Sequence, residues 1–213
     1  MIDKKISVIR PFGPSIAKLI IPDILINKIN QYVDEVIQDK NKQKELDHGH
    51  NLAGNVSQEL KLEKEFMQNC GWTKFLSNGT KYWIKQSMEK EITKFEIIES
   101  WIVRQFENDY NPIHVHGGHI SGVGYLKVPA DFGKPSQENK TENYNGTLQL
   151  IHGSKMFLSP STINITPKVG EFYFFPNYLM HVVYPFLNNK DERRSISFNA
   201  TIDDKIYDVY GKN

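Results

Sequence analysis

The chain is short of cysteine, of long apolar runs and of net charge, and each shortage removes a class of function. Cys70 is the only cysteine among 213 residues, so no intramolecular disulfide can form and thiolate zinc sites are excluded. The opening stretch MIDKKISVIRPFGPS lacks the apolar core of a secretory signal. No apolar run approaches the roughly 20 residues that span a bilayer, so no membrane association is expected. The expected compartment is the cytoplasm. Lys and Arg number 26 against 25 Asp and Glu, a formal net charge of +1. The basic residues are scattered, which leaves no nucleic-acid footprint. Nothing in the composition bears on oligomeric state.

What is present suits a globular fold. Hydrophobic residues make up 39% and charged residues 24%, enough apolar surface for one domain with its own core. No repeat or low-complexity linker divides the chain, so residues 1–213 are expected to form a single domain. The first part, to about residue 96, reads as helical. From Pro22, apolar residues recur at Leu25, Ile29, Tyr32, Val33, Val36 and Ile37, a helical stripe with Asp23 as its expected N-cap. The charged run from Asp39 to Glu45 is expected to end it. A second amphipathic stretch covers Trp72 to Phe95, with Phe75, Tyr82, Trp83, Ile92 and Phe95 as core candidates and Asn78-Gly79 as a break. Between them, HGHNLAGNVSQEL reads as a polar loop whose His48 and His50 are expected to face solvent.

From about residue 97 to 203 the period changes. IIESWIVRQF, HISGVGYLKV, GTLQLIH, EFYFF, HVVYPF and RRSISFNATI are short runs rich in β-branched and aromatic residues, separated by turn clusters at 143–146 and 188–191. The order suggests an α+β arrangement, helices on one side of an antiparallel sandwich or barrel. The polar stretch 131–145 reads as a lid over the barrel mouth.

Three of the seven histidines have informative spacing. His114 and His116 are two apart, so in an extended segment both imidazoles point to one face. His181 opens a later strand that a sandwich can bring opposite them. Two ligands from one strand and a third from another leave open positions on a shared metal ion. Twelve residues further on, Arg193, Ser195, Ser197 and Asn199 alternate with Arg194, Ile196 and Phe198. An inward-facing Arg in an apolar barrel requires an anion, because an unpaired buried charge is costly. A guanidinium beside a hydroxyl is a receptor for a carboxylate. The alternation and Ser195 favour Arg193 for that role, with Arg194 its competitor if the strand phase slips by one.

Taken together, His114-x-His116, His181 and Arg193-x-Ser195 resemble the double-stranded β-helix iron(II)/2-oxoglutarate oxygenases. The phrases Ser121-Gly-Val-Gly-Tyr125-Leu, Phe175-Pro176 and Ser195-Ile-Ser197-Phe198-Asn199 are most similar to the 2OG-Fe(II) oxygenases of marine bacteria and phages, which would place a phage-encoded chain in the host cytoplasm. The resemblance implies a jelly-roll, cupin-like core with N-terminal helical support. It implies Fe(II) held by His114, His116 and His181. It also implies 2-oxoglutarate bound by Arg193, Ser195 and Tyr125, and O2-dependent hydroxylation of a substrate that the sequence does not identify. Hydroxylation like that of prolyl hydroxylases is one form of it.

One departure bears on the metal. The superfamily usually has Asp or Glu two residues after the first His, and here that position is His116. Either three imidazoles hold the ion, or His116 stands outside and water or an anion fills its place. His119, one strand phase off, is expected to lie behind the ligands, and Trp101 in the core. Two rival readings use the same sandwich: a cupin-type metalloenzyme, and a non-catalytic jelly-roll binding or virion module. The glutamate usual in cupins after the second His is missing from Gly117-Gly118-His119-Ile120-Ser121.

Overall fold

In a computed structural model that describes residues 13–210, apart from 52, 136, 138, 188 and 189, the alternating runs pair into two antiparallel sheets. The N-terminal stretch to residue 12 and the Asn188-Asn189 part of the last turn cluster lie outside the described residues. The strands are β1 (Ala17–Ile20), β2 (Gln58–Lys61), β3 (Phe95–Gln105), β4 (Asn111–His114), β5 (Ile120–Lys127), β6 (Leu148–Ile151), β7 (Thr162–Ile165), β8 (Glu171–Pro176), β9 (Met180–Val183) and β10 (Arg193–Ile202). The larger sheet has the order β1-β8-β5-β10-β3-β2 and the smaller β4-β9-β6-β7. Strands far apart in sequence thus become neighbours, as in a jelly roll.

Each strand of the larger sheet serves two layers. On its outer face Phe172, Phe174, Ile196, Phe198 and Ala200 form one core with the helices α1 (Asp23–Gln38), α3 (Lys64–Cys70) and α4 (Trp72–Met88). Fully burying an aliphatic or aromatic side chain there contributes about 1.5–3 kcal/mol. Between the sheets a second, smaller core joins Leu148, Leu150 and Val183 to Phe175 and Leu179. The Gly-x-Gly of β5 follows from the outer packing. A Cβ on Gly122 would stand 2.7 Å from both Phe172 and Phe198, and one on Gly124 would stand 2.3 Å from Phe172.

Several sequence expectations shift by local physics. Pro22, not Asp23, caps α1, and Asp23 is the first helical residue. The charged run ends α1 at Gln38 as expected and then forms a helix of its own: Asp39 accepts hydrogen bonds from the Asn41 and Lys42 amides and starts α2 (Lys40–Glu45). Asn78-Gly79 does not break α4, because the bare face of Gly79 is where the Phe174 ring packs, 2.7 Å from an added Cβ. Tyr82 faces solvent at 65% exposure, and Phe95 opens β3 instead of closing a helix. β1, β2 and β7 escape notice as strands, whereas the equally short β6 and β9 fall within the expected runs and β4 holds the first of the two histidines expected on one strand. The stretch 131–145 packs against the segment after β9, where Leu187 N–H donates to the Phe132 carbonyl and Gly146 N–H to that of Pro185. A short helix, α5 (Asp204–Tyr207), closes the described chain, and no helix among the described residues is long and apolar enough to cross a membrane.

Replacing Gly122 by Ala is expected to cost about 1–3 kcal/mol through overpacking. Gly117→Ala, where nothing lies within 4 Å of the added Cβ, should unfold in urea as the unaltered chain does.

Candidate metal centre

The smaller sheet brings two of the histidines face to face, since His114 of β4 is the direct cross-strand partner of His181 of β9. His116 does not share the strand, which ends at His114. It sits in the following turn, where its amide donates to the Asn177 carbonyl and its own carbonyl accepts from Asn177 Nδ2. The turn aims the third imidazole at the other two, so that one ligand nitrogen from each lies within 4.8 Å of the others. His116 Nε2 and His181 Nε2 are 3.1 Å apart. Imidazoles about 2.1 Å from one divalent ion stand at about that spacing in adjacent coordination positions.

The tautomers are set from behind. His114 Nδ1 donates to the Pro112 carbonyl at 2.7 Å and His181 Nδ1 to the Leu179 carbonyl at 2.8 Å, which leaves both Nε2 lone pairs bare. Burial lowers the pKa of His114. It pushes His116 down to about 3, helped by repulsion from His181 and His114, and His181 down to about 4, helped by repulsion from His114. All three are therefore neutral near pH 7, the form in which imidazole binds metal.

Behind the histidines, β10 lines the same cavity with Arg193, Ser195 and Ser197. Arg193 is 1% exposed, and its Nη1 donates to the Gly146 carbonyl at 2.9 Å. Its Nε is buried with no partner among the described residues, and its guanidinium lies 5.3 Å over the ring of Tyr125. The Tyr125 hydroxyl is likewise buried and unpartnered. Burial lowers the pKa of Arg193 and raises that of Tyr125. Both remain protonated donors at neutral pH. Arg194 points the other way, into an ion-pair cluster with Glu192 and Asp34 at 2.7–2.9 Å, its Nη1 3.0 Å from Asn30 Oδ1. The cavity thus holds three imidazoles placed to share one metal ion at one wall and, among the described residues, an unmatched cation at another.

Other sequence candidates find different places. His119 turns behind the strand, where its Nδ1 accepts from the Ile202 amide and its ring stacks on Tyr207 at 3.9 Å. His50 is exposed. His48 is 5% exposed, paired with Glu99 at 3.1 Å, which corrects the expectation of a solvated loop histidine. Trp101 is buried as expected, but it also lines the cavity, with its ring centroid 5.7 Å from that of His116. Asn111 and Gln105 line the cavity too and were not singled out by sequence. Asn111 stands three residues before His114, a position that only the strand pairing gives meaning.

Comparison with known proteins agrees with this geometry. Residues 99–199 match a family described as "Putative 2OG-Fe(II) oxygenase". No curated protein matches the chain in sequence. Among solved structures, a Pseudomonas putida prolyl-4-hydroxylase superposes with a TM-score of 0.56 at 14% identity, covering 86% of this chain and 91% of that one. The viral collagen prolyl hydroxylase of Paramecium bursaria Chlorella virus-1, solved with 2-oxoglutarate, gives 0.53 at 15% identity over 87% and 94%. HygX from Streptomyces hygroscopicus, with nickel and 2-oxoglutarate bound, gives 0.56 at 9% identity over 88% and 82%. At these identities the likeness shows a shared fold.

A pH titration checks the histidine environment. The unfolded chain protonates its histidines near pH 6.5, whereas His116 and His181 resist until about 3 and 4. Between those limits the unfolded state binds more protons, so stability is lost as pH falls. The melting temperature of metal-free protein should drop from pH 7 to pH 4, and His116→Gln should flatten that slope.

Proposed function

The core of this chain, residues 99–199, belongs to the 2OG-Fe(II) oxygenases, and on that premise we propose the role of each cavity residue. The carrying observation is that three neutral imidazoles line one cavity with the Arg193 guanidinium, whose Nε is buried without a partner among the described residues and which lies over the Tyr125 ring. This donor set fits both groups: imidazoles suit ferrous iron, and an unmatched guanidinium suits a carboxylate.

His114, His116 and His181 would hold the iron, which when bound activates O2 at the expense of 2-oxoglutarate, yielding succinate, CO2 and an oxidised substrate. Arg193 would pair with the far carboxylate of 2-oxoglutarate, its Gly146 bond keeping the guanidinium oriented. The Ser195 and Tyr125 hydroxyls would donate to the same dianion. Val103, Leu148, Phe175 and Val183 give the cavity apolar walls that limit water. A buried Arg without an acidic partner has no use in a metal-only cupin site or a passive jelly roll, which supports the oxygenase reading over both. The third imidazole has an electrostatic consequence. It contributes no charge where a carboxylate would contribute one, so the ion's full charge faces the dianionic cosubstrate and the two should bind cooperatively. The reaction is read as hydroxylation of an amino acid side chain, free or within a peptide or protein, in keeping with the fold shared with prolyl hydroxylases.

Purified protein with Fe(II) should form succinate from 2-oxoglutarate, and His181→Ala should abolish it. Loss of a charge-assisted pair costs about 1.5–3 kcal/mol, so Arg193→Ala should raise the KM for 2-oxoglutarate by about 10- to 100-fold. Arg194→Ala should instead lower stability by about 3 kcal/mol and leave that KM unchanged. The reverse pattern would transfer the anchor role to Arg194.

A further inference from the structure

The buried polar atoms without partners among the described residues are Glu59 Oε1, Thr80 Oγ1, Asn111 Oδ1, Tyr125 OH and Arg193 Nε. Thr80 lies within α4, on the helix side. Of the other four, Asn111 and Arg193 line the cavity, Tyr125 lies beneath the Arg193 guanidinium and Glu59 is the cross-strand partner of the cavity-lining Val103; they divide by polarity. Tyr125 and Arg193 are donors, matched to an anionic cosubstrate. Glu59 and Asn111 are acceptors, and nothing described above satisfies them.

Glu59 is 2% exposed on the edge strand β2, directly across from the cavity-lining Val103 of β3. Asn111 is on β4, in the wall that also carries His114. Their two oxygens approach the bare face of Gly54 from different strands. At the point where a Cβ would stand, Asn111 Oδ1 is 3.2 Å away and Glu59 Oε1 3.3 Å. The surrounding charge is negative. Glu59 Oε2 and Asp47 Oδ1 flank Gly49 at 3.8 and 3.5 Å from its Cβ point, and no Lys or Arg pairs with Glu59 among the described residues. Burial, reinforced by Asp47, pushes the Glu59 carboxyl up to about 7, the condition of a carboxylate lacking its cation.

We propose that Glu59 and Asn111 form a subsite for a positively charged nitrogen of the substrate, a primary ammonium or a guanidinium, seated over the bare face of Gly54. This rests on the oxygenase reading of the same cavity. A cation supplies the donors that both oxygens lack and offsets the desolvation of Glu59. β4 is irregular between Asn111 and His114, whose partners Val183 and His181 are two residues apart on β9, so the two stand about 7 Å apart along the sheet. The charged nitrogen therefore stands several bonds from the atom presented to the metal, the span of a lysine or arginine side chain.

The test uses the full chain loaded with 2-oxoglutarate and with zinc(II) in place of iron. n-Butylammonium and guanidinium are titrated by ligand-observed NMR against their neutral counterparts, n-butanol and urea. Saturable binding of a cation at least about 10-fold tighter than its neutral counterpart is expected. Glu59→Gln should remove that preference. Gly54→Ala, which puts a methyl group where the oxygens converge and keeps the charge, should remove it too. It carries the test if the buried Glu59 substitution does not fold. Equal binding, no binding, or a preference that survives Gly54→Ala overturns the subsite, as when an ordered water or an internal Glu59–Asn111 hydrogen bond alone fills the space. Succinate formation by the iron-loaded unaltered chain separates the two failures. If succinate forms and no cation is preferred, only the subsite falls. If none forms, the oxygenase reading falls.

Discussion

A central strand has two faces, and β10 must satisfy a different solvent on each. Its outward residues Ile196 and Phe198 lie in the aromatic core under the helices, while Arg193, Ser195 and Ser197 line the cavity between the sheets. A slip of one residue would put serine hydroxyls into the aromatic core and Ile196 and Phe198 into the cavity. Both cost far more than a surface change. Pairing on both sides, with β3 and β5, holds the phase. The helical layer, the Gly-x-Gly of β5 and the orientation of the anion receptor all follow from it.

The smaller sheet is held by a different logic. Its strands are short, and the three clustered histidines are oriented mainly by backbone carbonyls. Pro112 and Leu179 fix two imidazoles, and Asn177 fixes the turn that carries the third. Backbone anchors suit a metal centre because they set the tautomer without adding charge. With His116 where the superfamily usually has a carboxylate, the three neutral imidazoles bring no charge to the site. Among the described residues, the cavity wall carries an unpartnered donor, Arg193 Nε on β10, and an unpartnered acceptor, Asn111 Oδ1 on β4.

How legible was this from residues alone? The strand alternation in RRSISFNATI and the pair His114-x-His116 carried the site, because buried charges and metal ligands are rare enough for spacing to be informative. Helix α1 was legible as well, since its buried stripe from Leu25 to Val36 spans about three turns. The short strands β1, β2 and β7 were not, and Gly79 reads as a breaker until the Phe174 ring is seen against it. His48 reads as a loop histidine because its partner Glu99 is 51 residues away.

Residue order therefore determined which side chains share a strand face, which imidazoles are near neighbours and where a cation would be buried. These are consequences of backbone periodicity, which acts within a few residues. Folding alone decided that His181 meets His114, that His116 reaches them from a turn, that Trp101 walls the cavity and that Glu59 and Asn111 converge on Gly54. Those are contacts between strands distant in the chain, and their geometry depends on register, twist and the packing of two layers together.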